Sequence, residues 1–260
     1  MSILDKIVSR KKEEIALAKQ MVSIKQLEAV PSFNRTPLVF RDFLLDENRT
    51  GIISEFKRRS PSKGLINGTA DVATVTQAYA AAGASALSVL TDTDFFGGRA
   101  DDLIAASAVN QIPILRKDFM IDEYQILEAK AWGADLILLI ASILTPQEIV
   151  NFGKFAQSLG LSVLLEVHDL AELERSVCPH LDAIGVNNRN LGDFTVNIQT
   201  SFDLVDKIPN NFLKISESAI DNPQVIKELK GVGYNGFLIG ENFMKTEDPG
   251  KAIQEFVAKL

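Results

Sequence analysis

Short apolar stretches recur along the chain and predict parallel β-strands. Nearly all of their residues are apolar, without the polar alternation of a strand that has one face in water. Such stretches are typical of parallel strands that are covered on both faces. The eight predicted strands cover residues 51–57, 85–90, 112–119, 134–141, 161–168, 182–188, 211–217 and 236–241.

The segments between these strands have helical periodicity and carry residues that favour helix ends. Thr145-Pro146-Gln147-Glu148 combines an N-cap residue, a proline in the first turn and a glutamate at the third position, and Gly160 follows the predicted end. The predicted helices cover residues 71–82, 122–132, 145–159, 221–229 and 246–260.

The alternation of strands and helices with short connections leaves few possible topologies. Connections from strand through helix to parallel strand are right-handed, and eight such units close most naturally into a barrel. The main alternative is an open doubly wound sheet, but no Gly-x-Gly-x-x-Gly motif follows any predicted strand. We therefore predict an α/β fold, a (β/α)8 TIM barrel that forms a single domain over residues 1–260.

Residues 1–50 lie outside this repeat and predict a helical N-terminal extension. Ile3, Ile7, Ile15 and Leu17 stand among Lys, Arg and Glu, as in an amphipathic helix. Two shorter helices are predicted over residues 23–30 and 39–45. Two interpretations stay open: a cap that plugs the bottom of the barrel, or a lid that contacts the substrate.

Composition narrows the possible partners and the cellular location. The net charge of −7 argues against a nucleic-acid interface, which needs a basic face, although a local cluster of Lys and Arg can still bind an anionic substrate. The single cysteine, Cys178, rules out an intrachain disulfide and suits a reducing compartment. The N-terminus lacks the apolar core of a signal peptide, and no stretch approaches the ~18 apolar residues of a membrane span. We expect a cytoplasmic monomer or weak homo-oligomer, with neither nucleic-acid nor membrane partner.

Charged and polar residues stand at the carboxyl ends of the predicted strands, which meet in one mouth in a barrel. Glu55 and Lys57 alternate with apolar neighbours, so both face the barrel interior. A buried Glu–Lys pair is costly unless it is well satisfied or functional, and here we favour function over a purely structural ion pair. The other candidates are Lys117, Asp118, Glu166, His168, residues 187–190, Ser216, Glu217, Ser218, Gly240 and Glu241.

These residue types indicate acid–base chemistry. Partly desolvated lysines close to one another have lowered pKa values and donate protons near neutral pH, whereas burial raises the pKa of a glutamate such as Glu166. One acid and one base across a cavity suit isomerisation, aldol-type, ring-closing or dehydrating steps, and they require no metal or redox cofactor. The loops after strands 7 and 8 often bind phosphate in barrels, and residues 58–64 add charges, hydroxyl groups and a glycine.

Five motifs, taken in order, resemble those of the indole-3-glycerol phosphate synthase family, and the resemblance covers essentially the whole chain. They are Ser54-Glu55-Phe56-Lys57-Arg58-Arg59-Ser60-Pro61-Ser62, Leu115-Arg116-Lys117-Asp118-Phe119, Leu165-Glu166-Val167-His168, Gly185-Val186-Asn187-Asn188-Arg189-Asn190-Leu191 and Ser216-Glu217-Ser218.

The resemblance implies conversion of 1-(2-carboxyphenylamino)-1-deoxyribulose 5-phosphate to indole-3-glycerol phosphate, with release of CO₂ and water and without a cofactor. Its catalytic roles carry over as follows: Lys117 is the general acid for ring closure, Glu166 the base for the ring-nitrogen proton, Lys57 the partner acid for dehydration, Glu55 and Asn187 orienting groups, and Ser218 a contact at the rim.

The resemblance also implies substrate-binding residues. Phosphate recognition carries over to Ser60, Ser218, Ala219, Gly240 and Glu241. Other expected contacts are Glu217, the mouth residues Arg189 and Leu191, and the apolar slot for the aromatic ring, Phe96, Phe119 and Leu138. Ala219 departs from the family pattern, which has glycine there; if this residue needs a positive φ, alanine costs about 1 kcal/mol.

Two alternatives compete with this interpretation, a second phosphate-binding enzyme and, from a different functional class, a scaffold protein. A different phosphate-binding barrel, such as phosphoribosylanthranilate isomerase, needs a cysteine base near the start of the barrel, whereas the cysteine here is at position 178. A catalytically silent scaffold barrel would lack a catalytic lysine or glutamate, and all of them are present.

Overall fold

The computed structural model describes residues 2–190, 192 and 194–260, and in them eight parallel strands form a closed barrel. Each strand pairs with the next one along the chain, and β8 pairs with β1. The predicted (β/α)8 barrel is therefore confirmed. The strands are β1 (Ile52–Phe56), β2 (Ala86–Leu90), β3 (Ile114–Lys117), β4 (Leu136–Ile140), β5 (Ser162–Val167), β6 (Ala183–Asn187), β7 (Leu213–Glu217) and β8 (Gly236–Ile239).

The α-helices in the described residues number twelve, and they include four that the sequence pattern missed, α5, α8, α9 and α11. The helix α5 begins without a side-chain cap, and α8, α9 and α11 are too short to show a clear period. The helices are α1 (Ile3–Met21), α2 (Ile24–Glu28), α3 (Phe40–Leu44), α4 (Val72–Ala81), α5 (Ala100–Val109), α6 (Glu123–Ala131), α7 (Pro146–Ser158), α8 (Leu170–Ser176), α9 (Gln199–Leu204), α10 (Pro223–Gly231), α11 (Glu241–Met244) and α12 (Pro249–Val257).

The N-terminal helices contact both ends of the barrel. Phe40 and Leu44 on α3 are buried in the apolar cluster inside the barrel, and Leu44 lies against Gly236 at the start of β8. The helix α3 therefore closes the bottom. By contrast, Ile3, Leu4 and Ile7 on α1 border a pocket at the carboxyl ends of the strands. The N-terminal extension thus has two parts: α3 closes the bottom of the barrel, and the start of α1 lines the pocket at the opposite end.

The buried face of α1 differs from the predicted apolar stripe. Ile7 and Ile15 are buried as expected, but Leu17 is 54% exposed. The residue between the two isoleucines on the buried face is Lys11, which is only 3% exposed. A charged side chain thus occupies a position where the helical period calls for an apolar one.

A short hairpin follows β1 and stands at the edge of the barrel mouth. Arg59–Ser60 pairs antiparallel with Gly64–Leu65, and Gly64 has a φ of 66°. A glycine suits this left-handed turn because it has no Cβ to clash.

None of the helices in the described residues is long and apolar enough to cross a membrane.

The plug formed by α3 yields a stability prediction. Phe40 is 0% exposed, so we expect Phe40→Ala to lower the free energy of unfolding by about 3–5 kcal/mol through lost burial and a cavity. Its neighbour Val39 is 55% exposed, and Val39→Ala should change stability by less than about 0.5 kcal/mol. Urea unfolding of both variants measures the difference. Equal losses would show that α3 does not contribute to the core.

Candidate active site

A pocket opens at the carboxyl ends of the barrel strands and encloses about 930 Å³ when its open mouth is included. It brings together most of the site residues expected from the sequence. Those that line it are Glu55, Lys57, Ser60, Phe96, Lys117, Phe119, Leu138, Glu166, Asn187, Arg189, Glu217 and Ser218. Leu191 lies outside the described residues.

The Lys117 side chain lies between two carboxylates at the strand ends. Its Nζ donates to Glu166 Oε2 at 2.8 Å and to Glu217 Oε2 at 2.8 Å. These residues come from β3, β5 and β7, so the closed barrel is what brings them together. One ammonium group thus compensates two buried acids.

The pKa values of this cluster differ in direction from those expected. Burial lowers the pKa of Lys117, but Glu166, Glu217 and Glu55 outweigh it and hold this pKa above its ordinary value. Burial raises the pKa of Glu166, but Lys117 and His168 outweigh it and lower this pKa to about 2. The expectations of a lowered lysine pKa and a raised Glu166 pKa were wrong because opposite charges lie at hydrogen-bonding distance.

Glu217 carries the raised carboxylate pKa instead. Burial and the charges of Glu166 and Glu55 raise it, Lys117 opposes them, and the result is a pKa of about 7. Its Oε1 atom has no hydrogen-bond partner among the described residues. We expected a binding contact from Glu217 on the basis of the sequence; the structure makes it a direct partner of Lys117.

Two glycines leave room for carboxylates in the pocket. A Cβ atom at Gly185 on β6 would stand 2.2 Å from Glu217 Oε1, and one at Gly240 would stand 2.5 Å from Glu55 Oε1. Such distances are far inside van der Waals contact. Gly185 was not among the predicted site residues, since a glycine inside a strand carries no chemical signal.

His168 extends the charged cluster beyond β5. Its Nε2 lies 3.4 Å from Glu166 Oε1, and its Nδ1 lies 3.1 Å from Glu172 Oε2. Burial lowers the pKa of His168, but Glu172 and Glu166 outweigh it and raise this pKa. The sequence placed His168 at a strand end without a role, and it gave no indication of Glu172, which lies on α8.

Glu55 and Lys57 face the same pocket, as their alternation predicts. Lys57 Nζ donates to Glu55 Oε1 at 2.7 Å. On the opposite side, Ser218 Oγ donates to Asn187 Oδ1 at 3.0 Å, and the same oxygen accepts the Arg189 backbone N–H at 3.0 Å. Asn187 thus fixes both a hydroxyl group and the start of the loop after β6.

The loop after β7 has an unusual backbone. Ser218 and Ala219 have φ values of 66° and 60°, a left-handed conformation that favours glycine. Because the φ of Ala219 is positive, alanine at this position destabilises the folded protein by about 1 kcal/mol. Ala219, Gly240 and Glu241 are not among the residues that line the pocket, whereas Ser60 and Ser218 are.

Glu241 instead pairs with two cations. Its Oε2 accepts from Arg189 at 3.4 Å, and its Oε1 lies 3.7 Å from Lys63 Nζ. These contacts connect the loops after β1, β6 and β8 around the mouth. Glu241 thus orients the basic side chains of Arg189 and Lys63.

The remaining wall of the pocket is apolar. Phe96 and Phe119 have ring centroids 5.9 Å apart, and Leu138 lies in the same wall. Phe194 also lines the pocket, although nothing in the sequence pattern indicated it. The N-terminal segment, whose contribution the pattern left open, adds Ile3, Leu4 and Ile7 to the wall. Across the described residues, no group of three or more His, Cys, Asp or Glu side chains is arranged to hold a metal ion.

The raised pKa of Glu217 predicts a pH dependence of stability. A carboxyl group that ionises near pH 7 when folded but near its ordinary value of 4.5 when unfolded binds more protons in the folded state. Its stabilising contribution is therefore complete below about pH 4.5 and is lost as pH rises through about 7. We expect Glu217→Gln to flatten the decline of the unfolding free energy over this window.

Urea unfolding at several pH values compares the wild type with this variant. Glu47 is exposed, so Glu47→Gln serves as the matched control and should leave the pH profile unchanged. Parallel pH profiles for wild type and Glu217→Gln would contradict the raised pKa.

Comparisons with known proteins agree with this architecture. The family model described as "Indole-3-glycerol phosphate synthase" matches residues 4–256. The chain is 46% identical over 260 residues to an indole-3-glycerol phosphate synthase of Bacteroides thetaiotaomicron, covering 99% of this chain and 98% of the relative. It is 42% identical over 266 residues to the enzyme of the same name from an Acidovorax species, covering 98% and 99%.

A solved structure of 3-hexulose-6-phosphate synthase is similar in fold, with a TM-score of 0.61 and 12% identity, covering 81% of this chain and 100% of that one. At this identity the likeness extends to the barrel alone. The family match and the full-length relatives go further: this chain belongs to the indole-3-glycerol phosphate synthase family.

Proposed function

We propose that this protein converts 1-(2-carboxyphenylamino)-1-deoxyribulose 5-phosphate to indole-3-glycerol phosphate, CO₂ and water. Family membership supports the reaction. The observation that carries it is the contact of Lys117 with both Glu166 and Glu217 in a pocket that has one apolar wall. A protonated donor and an ionised acceptor thus stand side by side at neutral pH.

Ring closure is the first step. The aromatic carbon that bears the carboxylate attacks the ribulose carbonyl carbon, a C–C bond forms, and the carbonyl oxygen takes a proton. Lys117 is the proton donor, because the surrounding carboxylates keep it protonated. General acid catalysis of this kind contributes about 10²–10⁴-fold to the rate.

Loss of CO₂ restores aromaticity. The C–C bond to the carboxylate breaks, and its electron pair returns to the ring, which ring closure left positively charged. The ring is thus the electron sink, and no oxidant is needed. An apolar wall favours this step because it disfavours the charged carboxylate relative to neutral CO₂. Phe96, Phe119 and Leu138 supply that wall in the proposed orientation.

Dehydration completes the product. The new hydroxyl group leaves as water after it accepts a proton, and the five-membered ring gives up a proton to a base. We assign the base role to Glu166, which the neighbouring Lys117 and His168 keep ionised, with a pKa of about 2. We assign the acid role to Lys57, which Glu55 holds at 2.7 Å.

The phosphate end of the substrate lies, in this proposal, at the mouth between the loops after β1 and β7. Ser60 and Ser218 supply hydroxyl groups there, and Arg189 supplies a positive charge. Asn187 holds Ser218 in place through a 3.0 Å hydrogen bond. Ala219, Gly240 and Glu241 act less directly, through the backbone of the loops and through the orientation of Arg189.

We further propose that the protein works in the cytoplasm as a monomer or weak homo-oligomer, with a small molecule as its partner. The single cysteine and the acidic net charge of −7 support this proposal.

The activity itself is the first prediction of this proposal. Purified protein mixed with the ribulotide at neutral pH, without added metal or cofactor, should generate the fluorescence of an indole product because all proton-transfer groups belong to the chain. The fluorescence time course measures it, with a reaction lacking protein as control. No fluorescence above this control, from folded protein and authentic substrate, would disprove the proposed function.

The second prediction concerns the proton-transfer residues. Glu166→Gln and Lys117→Ala should each lower turnover by about 100-fold or more, since each removes a general acid or base. Glu174 lies on the exposed side of α8, so Glu174→Gln is a matched control that should keep full turnover. Steady-state kinetics on variants with unchanged circular dichroism measures the effect. Near-full turnover in either active-site variant would refute the role assigned to that residue.

A further inference from the structure

Lys11 is a buried charge outside the proton-transfer cluster. It lies on α1 between Ile7 and Ile15 and is 3% exposed. A lysine is rarely buried to this extent unless it is paired. Its Nζ lies 2.9 Å from Asp92 Oδ2 and 3.0 Å from Asp118 Oδ1, and a third carboxylate, that of Glu14 on the same helix, lies at 2.7 Å.

The two aspartates follow β2 and β3, and each of them orders the backbone of an aromatic residue in the pocket wall. Asp92 Oδ1 accepts the backbone N–H groups of Phe95 at 2.9 Å and Phe96 at 3.2 Å. Asp118 Oδ1 accepts the backbone N–H of Phe119 at 2.8 Å. The carboxylates that bind Lys11 are therefore also those that fix Phe96 and Phe119.

The helix that carries Lys11 contributes further apolar side chains to the same wall. Ile3, Leu4 and Ile7 precede Lys11 on α1 and line the pocket together with Phe96 and Phe119. One ammonium group thus connects three separate segments of the chain, namely α1, the loop after β2 and the loop after β3. All three contribute apolar side chains to one surface.

We propose that Lys11 is a positioning residue for the aromatic ring of the substrate, holding these three segments together as one apolar wall. The proposal rests on the proposed function for the identity of the ring. Lys11 touches no reacting atom in it. Its effect is on where the ring binds.

The surrounding charges explain why a charged residue, rather than an apolar one, is favoured at position 11. Asp118 forms a second ion pair, with Arg116 at 3.1 Å. Asp92, by contrast, forms its one ion pair within the described residues with Lys11. Arg10 binds Asp94 in the same loop at 2.6 Å, but from the exposed side of α1. Without the Lys11 ammonium group, Asp92 would be a buried charge without compensation, which is strongly unfavourable.

Two substitutions test the proposal. Lys11→Met keeps the length of the side chain and removes its charge, while Asp92→Asn removes one of the partner charges and keeps Oδ1 as the acceptor for Phe95 and Phe96. The matched control is Lys19→Met on the same helix, since Lys19 forms an exposed ion pair with Asp122 at 2.7 Å. The readouts are KM and kcat for the ribulotide, and amide hydrogen exchange measured by mass spectrometry.

We expect Lys11→Met to raise KM about 10-fold with kcat within threefold of wild type, and Asp92→Asn to raise KM to a smaller extent. Amide exchange should accelerate at least about 10-fold in α1 and in residues 92–98, and stay unchanged in β5 and β7. Lys19→Met should behave as wild type in both measurements.

The exchange experiment needs no substrate, so it separates the two proposals. Absent turnover in the wild type would disprove the proposed function, while local exchange would still report whether Lys11 connects the three segments. A wild-type KM in folded Lys11→Met or Asp92→Asn, or unchanged exchange in both, would overturn the positioning role. A lowered melting temperature with an unchanged KM would make Lys11 a structural residue only. If Lys11→Met fails to fold, Asp92→Asn decides.

Discussion

The charge balance around Lys117 is the constraint on which the rest of the pocket depends. An ammonium group and two carboxylates leave water together, and their mutual attraction must offset a desolvation cost of several kcal/mol for each ion. One cation cannot fully neutralise two anions, so one acid must hold its proton more tightly than the other. Glu166 is the ionised partner and Glu217 the one with the raised pKa of about 7. Lys117 therefore has a proton acceptor, Glu166, and a carboxyl group that titrates near neutral pH, Glu217, both within hydrogen-bonding distance.

Strand alternation separates this cluster from a second one. On β3, Lys117 contacts Glu166 and Glu217 in the mouth, while the preceding Arg116 contacts Glu128 and the Gln125 carbonyl of α6. Successive side chains of a strand point to opposite faces, so adjacent residues serve different clusters. The outer cluster anchors α6, and through Asp118 and Lys11 it anchors α1 as well. The contacts that hold the wall and the Lys117 cluster thus share one strand.

Much of the fold could be predicted from the sequence, because nearly continuous apolar strands and capped helices report directly on a parallel barrel. Because the carboxyl ends of barrel strands meet in one mouth, the sequence also predicted that Lys117, Glu166 and Asn187 lie together there. The direction of the pKa shifts could not be predicted, since it depends on the 2.8 Å contacts made by side chains from different strands. Glu172 and Phe194 gave no signal, because an acid on a helix and a phenylalanine in a loop are ordinary. Lys11 did give one: it interrupts the apolar period between Ile7 and Ile15.

Gly185 and Gly240 have a consequence for the kinds of genetic change that the protein tolerates. Each lies where a carboxylate oxygen fills the volume that a methyl group would need. A change to alanine, the mildest in size, would therefore displace Glu217 or Glu55 and disturb the charge balance of the pocket. Inactivating alleles should accumulate at two residues that have no functional group at all. At these two positions, it is the absence of a side chain that the neighbouring carboxylates require.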